Sequence, residues 1–113
     1  MTAEGITPVV PVDDLAAAAA FWKSILGVEP TFVDGDRWAQ FDLGSRRLAL
    51  SGSDRLTDEP SIMVKVGNLD QAIAQVGAAG GTAGKVEEGP HELRVLATTP
   101  YGVIVFYSPK PEA

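Results

Sequence analysis

Apolar and polar positions in the first half of the chain predict a strand, a helix and three further strands. The helix is expected over residues 16–26, where apolar residues recur at helical spacing. Asp13 and Asp14 provide N-cap side chains before it, and Gly27 is a suitable terminator after it. The predicted strands are 6–12, 31–33, 38–43 and 47–50. Glycine-containing turns separate the last three, which is typical of successive hairpins.

The second half repeats this order after a polar connection at residues 53–60. Asn68 is placed to cap a helix over 69–79, and Gly80-Gly81 is expected to end it. The predicted strands are 62–66, 82–86, 92–96 and 103–107. The pattern therefore predicts an α+β fold built from two tandem βαβββ modules.

The two halves also match in sequence. Val12-Asp13-Asp14-Leu15 and Val66-Gly67-Asn68-Leu69 lie 54 positions apart. Further on, Leu48-Ala49-Leu50 corresponds to Ile104-Val105-Phe106 with two residues of drift. A repeat of this length in only two copies indicates duplication of a supersecondary unit. We expect a single domain over 1–113, made of repeats at about 5–58 and 59–109.

Composition excludes several classes of function. A formal net charge of −6 argues against a nucleic-acid partner, which needs clustered Lys and Arg. The chain has no cysteine, so disulfides and thiolate sites are excluded. No apolar run approaches the roughly 20 residues of a membrane span, and Met1-Thr2-Ala3-Glu4 lacks the basic start of a secretory signal. We therefore expect a cytoplasmic protein with no nucleic-acid or membrane partner.

Three stretches resemble the vicinal oxygen chelate superfamily, in its metal-lacking branch. They are Val12-Asp13-Asp14-Leu15, residues 21–27 with their F-W-x-x-x-L-G pattern, and the closing residues 99–107. This superfamily includes glyoxalase I, extradiol dioxygenases, methylmalonyl-CoA epimerase, fosfomycin-resistance enzymes and bleomycin-binding proteins. The resemblance implies mixed sheets that curve around a concave cavity. It specifies the fold better than the function, because this fold supports several unrelated activities.

The resemblance also locates four places where metal-binding relatives carry His, Gln or Glu. On this chain they fall on Thr7, Ser61, Ala49 and Val105, or on Phe106 if the final loop aligns one residue differently. Alanine and valine cannot coordinate a cation, and two hydroxyls cannot hold a divalent ion alone. The resemblance therefore implies a protein without a metal or other cofactor.

Strand alternation identifies a candidate binding surface. It places Trp38, Gln40 and Asp42 on one sheet face, whereas Phe41 and Leu43 face the helix with Leu48 and Leu50. In the second half the equivalent face is expected to carry Met63, Lys65, Glu92, Arg94, Val105 and Tyr107. Trp22 is a further aromatic candidate, although a core position suits it better. The predicted ligand-binding residues are Trp22, Trp38, Gln40, Asp42, Met63, Glu92, Arg94 and Tyr107, and none is assigned a catalytic role.

The favoured hypothesis is a metal-independent binding protein that sequesters a small aromatic or cationic, antibiotic-like molecule. Aromatic stacking and the acidic Asp34, Asp36 and Asp42 would suffice for it. Because the family commonly pairs two chains, we expect a homodimer. An alternative is a metal-free or atypical lyase, isomerase or dioxygenase-family enzyme that uses His91, Glu92 or Arg94. A third possibility is a structural or regulatory dimer with a vestigial cavity.

Overall fold

The computed structural model describes residues 2–110, which contain two α-helices and eight β-strands. The order βαβββ occurs twice, so the predicted α+β class and the two tandem modules are confirmed. The first set is β1 Gly5–Pro11, α1 Leu15–Leu26, β2 Phe32–Asp34, β3 Trp38–Leu43 and β4 Arg46–Ser51. The second set is β5 Ser61–Lys65, α2 Leu69–Ala78, β6 Thr82–Glu88, β7 Glu92–Thr99 and β8 Gly102–Pro109.

The chain divides into two compact units. One unit is Thr7–Pro60, which contains the first module from the third residue of β1 onward, and the other begins at Ser61 and also includes the N-terminal residues up to Ile6. In the first module the strand order is β2-β3-β4-β1, with β1 parallel to β4 and the other pairs antiparallel. The second module has the order β6-β7-β8-β5, with β5 parallel to β8. Each parallel pair is joined through the helix and hairpins of its own module.

Helix α1 begins and ends where the local sequence predicts. The Asp14 side chain accepts a hydrogen bond from the backbone N–H of Ala17 at 3.0 Å, which satisfies a donor that the first helical turn leaves open. Gly27 adopts the left-handed conformation, with φ 74°, and its N–H donates to the carbonyl of Lys23. The helix packs on one sheet face, where the buried core consists of Leu15, Ala39, Phe41 and Leu50.

Helix α2 is built by the same rules. The Asn68 side chain accepts from the N–H of Gln71 at 3.0 Å, and Gly80, with φ 99°, turns the chain away after the last helical turn. Leu69, Ala72 and Val76 form the buried stripe of the helix. Its core partners are Val66, directly after β5, and Val95, Ala97 and Phe106 on β7 and β8. Neither helix has the length and apolar character needed to cross a membrane, and residues 2–110 contain no other helix.

The sequence repeat is matched by equivalent backbone pairing. Val10 lies opposite Leu50 in the first module, and Val64 lies opposite Phe106 in the second. One further backbone hydrogen bond follows the last paired residues of each parallel pair of strands. The N–H of Val12 donates to the carbonyl of Ser51, and the N–H of Val66 donates to the carbonyl of Tyr107, both at 2.9 Å. Equivalent residues of the two modules are thus 54 positions apart in the first strand and 56 positions apart in the last strand. The difference of two is the drift seen between the two sequence repeats.

The structure adds two details to the predicted packing. Leu43 lies on the same side of β3 as Phe41, but it is 41% exposed and outside the buried core, because it is the last residue of β3 before the Gly44-Ser45 turn. Strands β6 and β7 also extend beyond their predicted ends, to Glu88 and Thr99. Antiparallel pairing supplies hydrogen bonds there, to Glu87 and Glu88 of low β-propensity on β6 and to the residues up to Thr99 on β7, which lie opposite β8.

Candidate functional site

Each module has one sheet face covered by its helix and one face that is not, which we call the helix-free face. In the first module Trp38, Gln40 and Asp42 lie on this face, as alternation predicts, and Ala39 and Phe41 lie in the helix-side core. In an antiparallel ladder, directly opposite residues point to the same side. The cross-strand partners on this face of β4 are Ser51, Ala49 and Arg47.

Two aromatic side chains flank Gln40 on the helix-free face of the first module. Phe32 on β2 is the direct partner of Gln40, and Trp38 precedes Gln40 by one strand repeat. Phe32 is 49% exposed and Trp38 is half-buried. The neighbouring positions hold the buried short side chains Val9 and Ala49, which pair with each other between β1 and β4. The result is an aromatic surface with one amide at its centre.

Asp42 is the most strongly bound polar group on this face. Its carboxylate accepts from Thr31 Oγ1 at 2.6 Å, from Arg47 Nε at 2.7 Å and from Gln40 Nε2 at 3.2 Å. The Thr31 hydroxyl, then Arg47 and Gln40, stabilise the ionised form and lower the pKa of Asp42 to about 2. Asp42 therefore remains a carboxylate throughout the physiological range, and all three donors point at it.

The other two acids that the sequence proposed for a cationic ligand also have protein partners. Asp34 forms an ion pair with Arg37, and that contact raises the pKa of the Arg37 guanidinium. Asp36 accepts a hydrogen bond from the Ser53 hydroxyl at 2.9 Å. Together with the pairing of Asp42 and Arg47, these contacts reduce the negative potential that the three carboxylates were expected to present.

The helix-free face of the second module carries a polar row that crosses all four strands. Lys65 lies opposite Tyr107, Tyr107 opposite Arg94, and Arg94 opposite Glu87. All four side chains are half-buried. The next row toward the start of β5 is apolar, with Met63, Val105 and Leu96 as cross-strand partners. The face assignments made from the sequence for Met63, Lys65, Arg94, Val105 and Tyr107 therefore agree with the strand register.

Glu92 and His91 lie at the end of this module where β6 turns into β7. Glu92 also projects on the helix-free side, and its carboxylate lies close over Gly89 in the turn, where an added Cβ would fall 2.1 Å from Oε1. His91 is exposed, and its backbone carbonyl accepts from the N–H of Lys110. Glu87 and Glu88 point to opposite faces, because they oppose Arg94 and Leu93 in turn.

Trp22 does not join the other candidates. It packs against the core formed by Leu15, Phe41 and Leu50, on the helix side of the first module. Its ring meets that of Phe21 edge to face, with centroids 5.8 Å apart. Trp22 thus lies on the helix side of the sheet, apart from the helix-free face that carries the other candidates.

The positions that correspond to metal ligands in related proteins do not fit a metal. Thr7, Ala49, Ser61 and Val105 are all buried on helix-free faces, and Phe106 lies in the helix-side core of its own module. The register thus favours Val105 over Phe106 as the fourth position. None of these side chains is an imidazole or a carboxylate. Residues 2–110 also contain no group of three or more His, Asp or Glu side chains arranged to hold an ion.

Several structurally important residues were not identified from the sequence. Thr31 and Arg47 become partners of Asp42 only through strand pairing, and Phe32 joins the aromatic surface through its register with Gln40. Arg55 is a further case, because its guanidinium donates to the carbonyls of Val12 and Gly52 and forms ion pairs with Asp13 and Asp58. These contacts link residues up to 43 positions apart, so local patterns carry no signal for them.

The chain is similar to a known protein family and to several solved structures. Residues 8–103 match the family model described as a glyoxalase-like domain. No curated protein sequence matches the chain. Among solved structures, a protein described as NAD-dependent benzaldehyde dehydrogenase from Legionella pneumophila has a TM-score of 0.80 at 14% identity, over 94% of this chain and 100% of that one.

Two further structures share the fold. A glyoxalase/bleomycin resistance protein/dioxygenase superfamily member from Vibrio splendidus has a TM-score of 0.68 at 17% identity, over 95% of this chain and 99% of that one. Methylmalonyl-CoA epimerase from Streptomyces coelicolor has a TM-score of 0.72 at 14% identity, over 97% and 100% of the two chains. At these identities the likeness supports the fold and leaves the ligand open.

Proposed function

This chain belongs to the glyoxalase-like domain family, and from that premise we propose that it is a metal-independent binding protein for a small planar molecule. The observation that carries the proposal is the aromatic surface of the first module. Trp38 and Phe32 flank Gln40 there, with the short side chains of Val9 and Ala49 beside them. Aromatic rings provide a large contact area, and a few polar groups fix the orientation of a ligand.

The partners of the acidic residues favour a planar ligand over a cationic one. Two of the three proposed carboxylates, Asp34 and Asp42, are ion-paired with Arg37 and Arg47. A cation would have to compete with these arginines, whereas stacking on Trp38 or Phe32 needs no exchange of charge partners. In this proposal the protein therefore recognises its ligand by planar shape and by contact with aromatic side chains.

Binding is preferred over catalysis because the four positions that hold ligands in metal-dependent relatives carry Thr7, Ala49, Ser61 and Val105. The likeness to an epimerase is a likeness of fold at 14% identity. We further propose that the protein acts as a cytoplasmic homodimer and sequesters an antibiotic-like molecule, because sequestration requires affinity and no reacting group.

The test is a titration of the purified protein followed by tryptophan fluorescence, after elemental analysis for bound metal. We expect no stoichiometric metal, no response to Zn²⁺ or Ni²⁺, and saturable quenching by metal-free bleomycin or smaller planar heteroaromatic molecules. Trp38→Phe should remove most of the quenching, because the responding indole lies on the helix-free face.

Trp22→Phe is the matched control, since Trp22 is the other tryptophan and packs on the helix side. This variant should keep the quenching, at some cost in stability. Stoichiometric metal in the purified protein would contradict metal independence. Quenching that disappears with Trp22 and survives loss of Trp38 would place the ligand elsewhere.

A further inference from the structure

The side-chain amide of Gln40 has a fixed orientation because of the group that it faces. Gln40 Nε2 donates to Asp42 Oδ2 at 3.2 Å. An ionised carboxylate only accepts hydrogen bonds, so the amide must turn its NH₂ group toward Asp42. The carbonyl oxygen Oε1 is attached to the same planar carbon and is consequently turned away from Asp42.

The charge of Asp42 makes this orientation robust. Thr31 and Arg47 donate to the same carboxylate, and together they keep it ionised far below neutral pH. A protonated aspartic acid could donate to the amide oxygen and reverse the arrangement, but that form is not populated at physiological pH. Asp42, Thr31 and Arg47 therefore act as positioning residues for the Gln40 amide.

The Oε1 atom of Gln40 is available for a ligand. Within the part of the chain that the structure describes, the Gln40 side chain makes no hydrogen bond other than the one to Asp42. The residue is half-buried and lies between Trp38 and Phe32 on the helix-free face. An amide oxygen on a half-buried side chain, with aromatic residues at the neighbouring positions of the sheet, favours a partner that brings a donor and a flat apolar body.

We propose that Gln40 acts as a dedicated hydrogen-bond acceptor, which selects planar molecules that carry an N–H or O–H donor at the ring edge. This inference rests on the proposed function, because it concerns the same aromatic surface, and it narrows the class of ligand. Planar molecules with only acceptors at that edge would place two acceptors against each other and lose affinity.

The experiment compares indole with benzofuran by isothermal titration calorimetry. The two probes have the same fused-ring shape and differ in an N–H donor against a ring oxygen. Because one net hydrogen bond contributes modestly to binding, we expect indole to bind the wild-type protein about 3- to 10-fold more tightly. In Gln40→Met, which keeps the length of the side chain and removes its strong acceptor, the two dissociation constants should become equal within about twofold.

Two further variants test whether Asp42 positions the Gln40 amide, and thermal melts test separately whether each variant is folded. Asp42→Asn replaces an acceptor-only group with an amide that can also donate, so the preference for indole should fall toward equality even though Gln40 is present. Gln75→Met, at an exposed position on α2, makes the same chemical change elsewhere and should keep the wild-type preference. Thermal melts of each variant show whether it is folded at the titration temperature.

The outcomes distinguish the two proposals. Binding of both probes with equal affinity, or tighter binding of benzofuran, would overturn the role of Gln40 and leave the planar-ligand proposal intact. A preference for indole that persists in Gln40→Met would overturn it as well. If neither probe binds and the fluorescence titrations also fail, the proposed function fails, and the inference about Gln40 falls with it.

Discussion

At the scale of single residues, Asp42 shows how strand pairing turns an ordinary surface acid into an organising group. Its donors come from three places: Thr31 before β2, Gln40 two positions earlier on β3, and Arg47 opposite it on β4. The carboxylate is 26% exposed, so solvent screens these contacts only in part. The cluster therefore contributes to stability as well as to the orientation of Gln40.

This cluster predicts a defined pH dependence. The pKa of Asp42 is about 2 in the folded protein, against an ordinary value of 3.8. Its stabilisation is complete above about pH 5, where both the folded and the unfolded chain are ionised, and is lost as the pH falls through the folded pKa near 2. At pH 7, Asp42→Asn should lower the free energy of unfolding by about 1–2 kcal/mol.

Urea unfolding of the two proteins at several pH values measures this effect. The difference between wild type and Asp42→Asn should shrink steadily between about pH 5 and pH 2. Glu59→Gln serves as a control, because Glu59 is an exposed acid in the loop before β5 and should show a difference near zero throughout. A difference of constant size across the pH range would show that the ionised carboxylate is not its source.

The same residues mark the limit of prediction from sequence. Alternation alone placed Trp38, Gln40 and Asp42 on one face, because the side-chain period of a strand is local. It did not reveal that Arg47 neutralises Asp42, or that Phe32 lies beside Gln40, because both contacts depend on the register between strands. The sequence thus indicated the surface but not the ion pairs that lie on it.

At the scale of elements, helix ends were predictable and strand ends were less so. Asp14, Gly27 and Asn68 carry their capping signals within a few residues, and the structure confirms each of them. A strand ends where its partner ends, so β7 continues to Thr99 because β8 runs alongside it. Close backbone contacts, such as that of Gly52, are equally invisible to local pattern.

Two glycines make a matched test of this distinction. A Cβ at Gly52 would lie 2.0 Å from the carbonyl oxygen of Asp36, whereas a Cβ at Gly77 on α2 meets nothing within 4 Å. Gly52→Ala should therefore destabilise the protein by about 1–3 kcal/mol through overpacking. Gly77→Ala should stabilise it by about 0.5–1 kcal/mol, because alanine loses less backbone entropy in a helix.

The denaturant midpoints of Gly52→Ala and Gly77→Ala measure these two stability changes. Opposite shifts are expected from the same chemical change, and the wild-type protein provides the reference. Equal shifts in one direction would mean that the turn at Asp36 moves freely to admit a methyl group, so that Gly52 is not a constrained position.

At the scale of the whole molecule, the chain leaves several large apolar side chains exposed. Phe21 and Ile25 lie one turn apart on α1 and are 59% and 60% exposed, and Phe32 and Val33 lie on the short strand β2. Scattered apolar residues are normal on a protein surface, but Phe21 and Ile25 are neighbours on one exposed helix face, and such a pair is a candidate contact for a second chain.

We accordingly expect a homodimer in solution. Light scattering at micromolar concentration should give a mass twice the 11.9 kDa of one chain. Dilution should leave this mass unchanged over at least a tenfold range if the dimer is tight. The mass of a single chain at every concentration would contradict the dimer while leaving the binding of planar molecules to be judged by its own titrations.

The equivalent ladders of the two modules have a consequence for the history of the chain. Trp38 faces Ser51 in one module as Arg94 faces Tyr107 in the other, and the two pairs are related by the 56-residue offset of the repeat. In a chain built by duplication, these positions began with identical residues. The strand pairing is the same in both copies, and both helix-side cores are apolar although their residues differ, as Phe41 and Ala97 do. On the helix-free side one copy carries an indole where the other carries a guanidinium. The two copies therefore present chemically different surfaces on one shared frame, so the contacts of either surface can change without a change in the strand pairing beneath it.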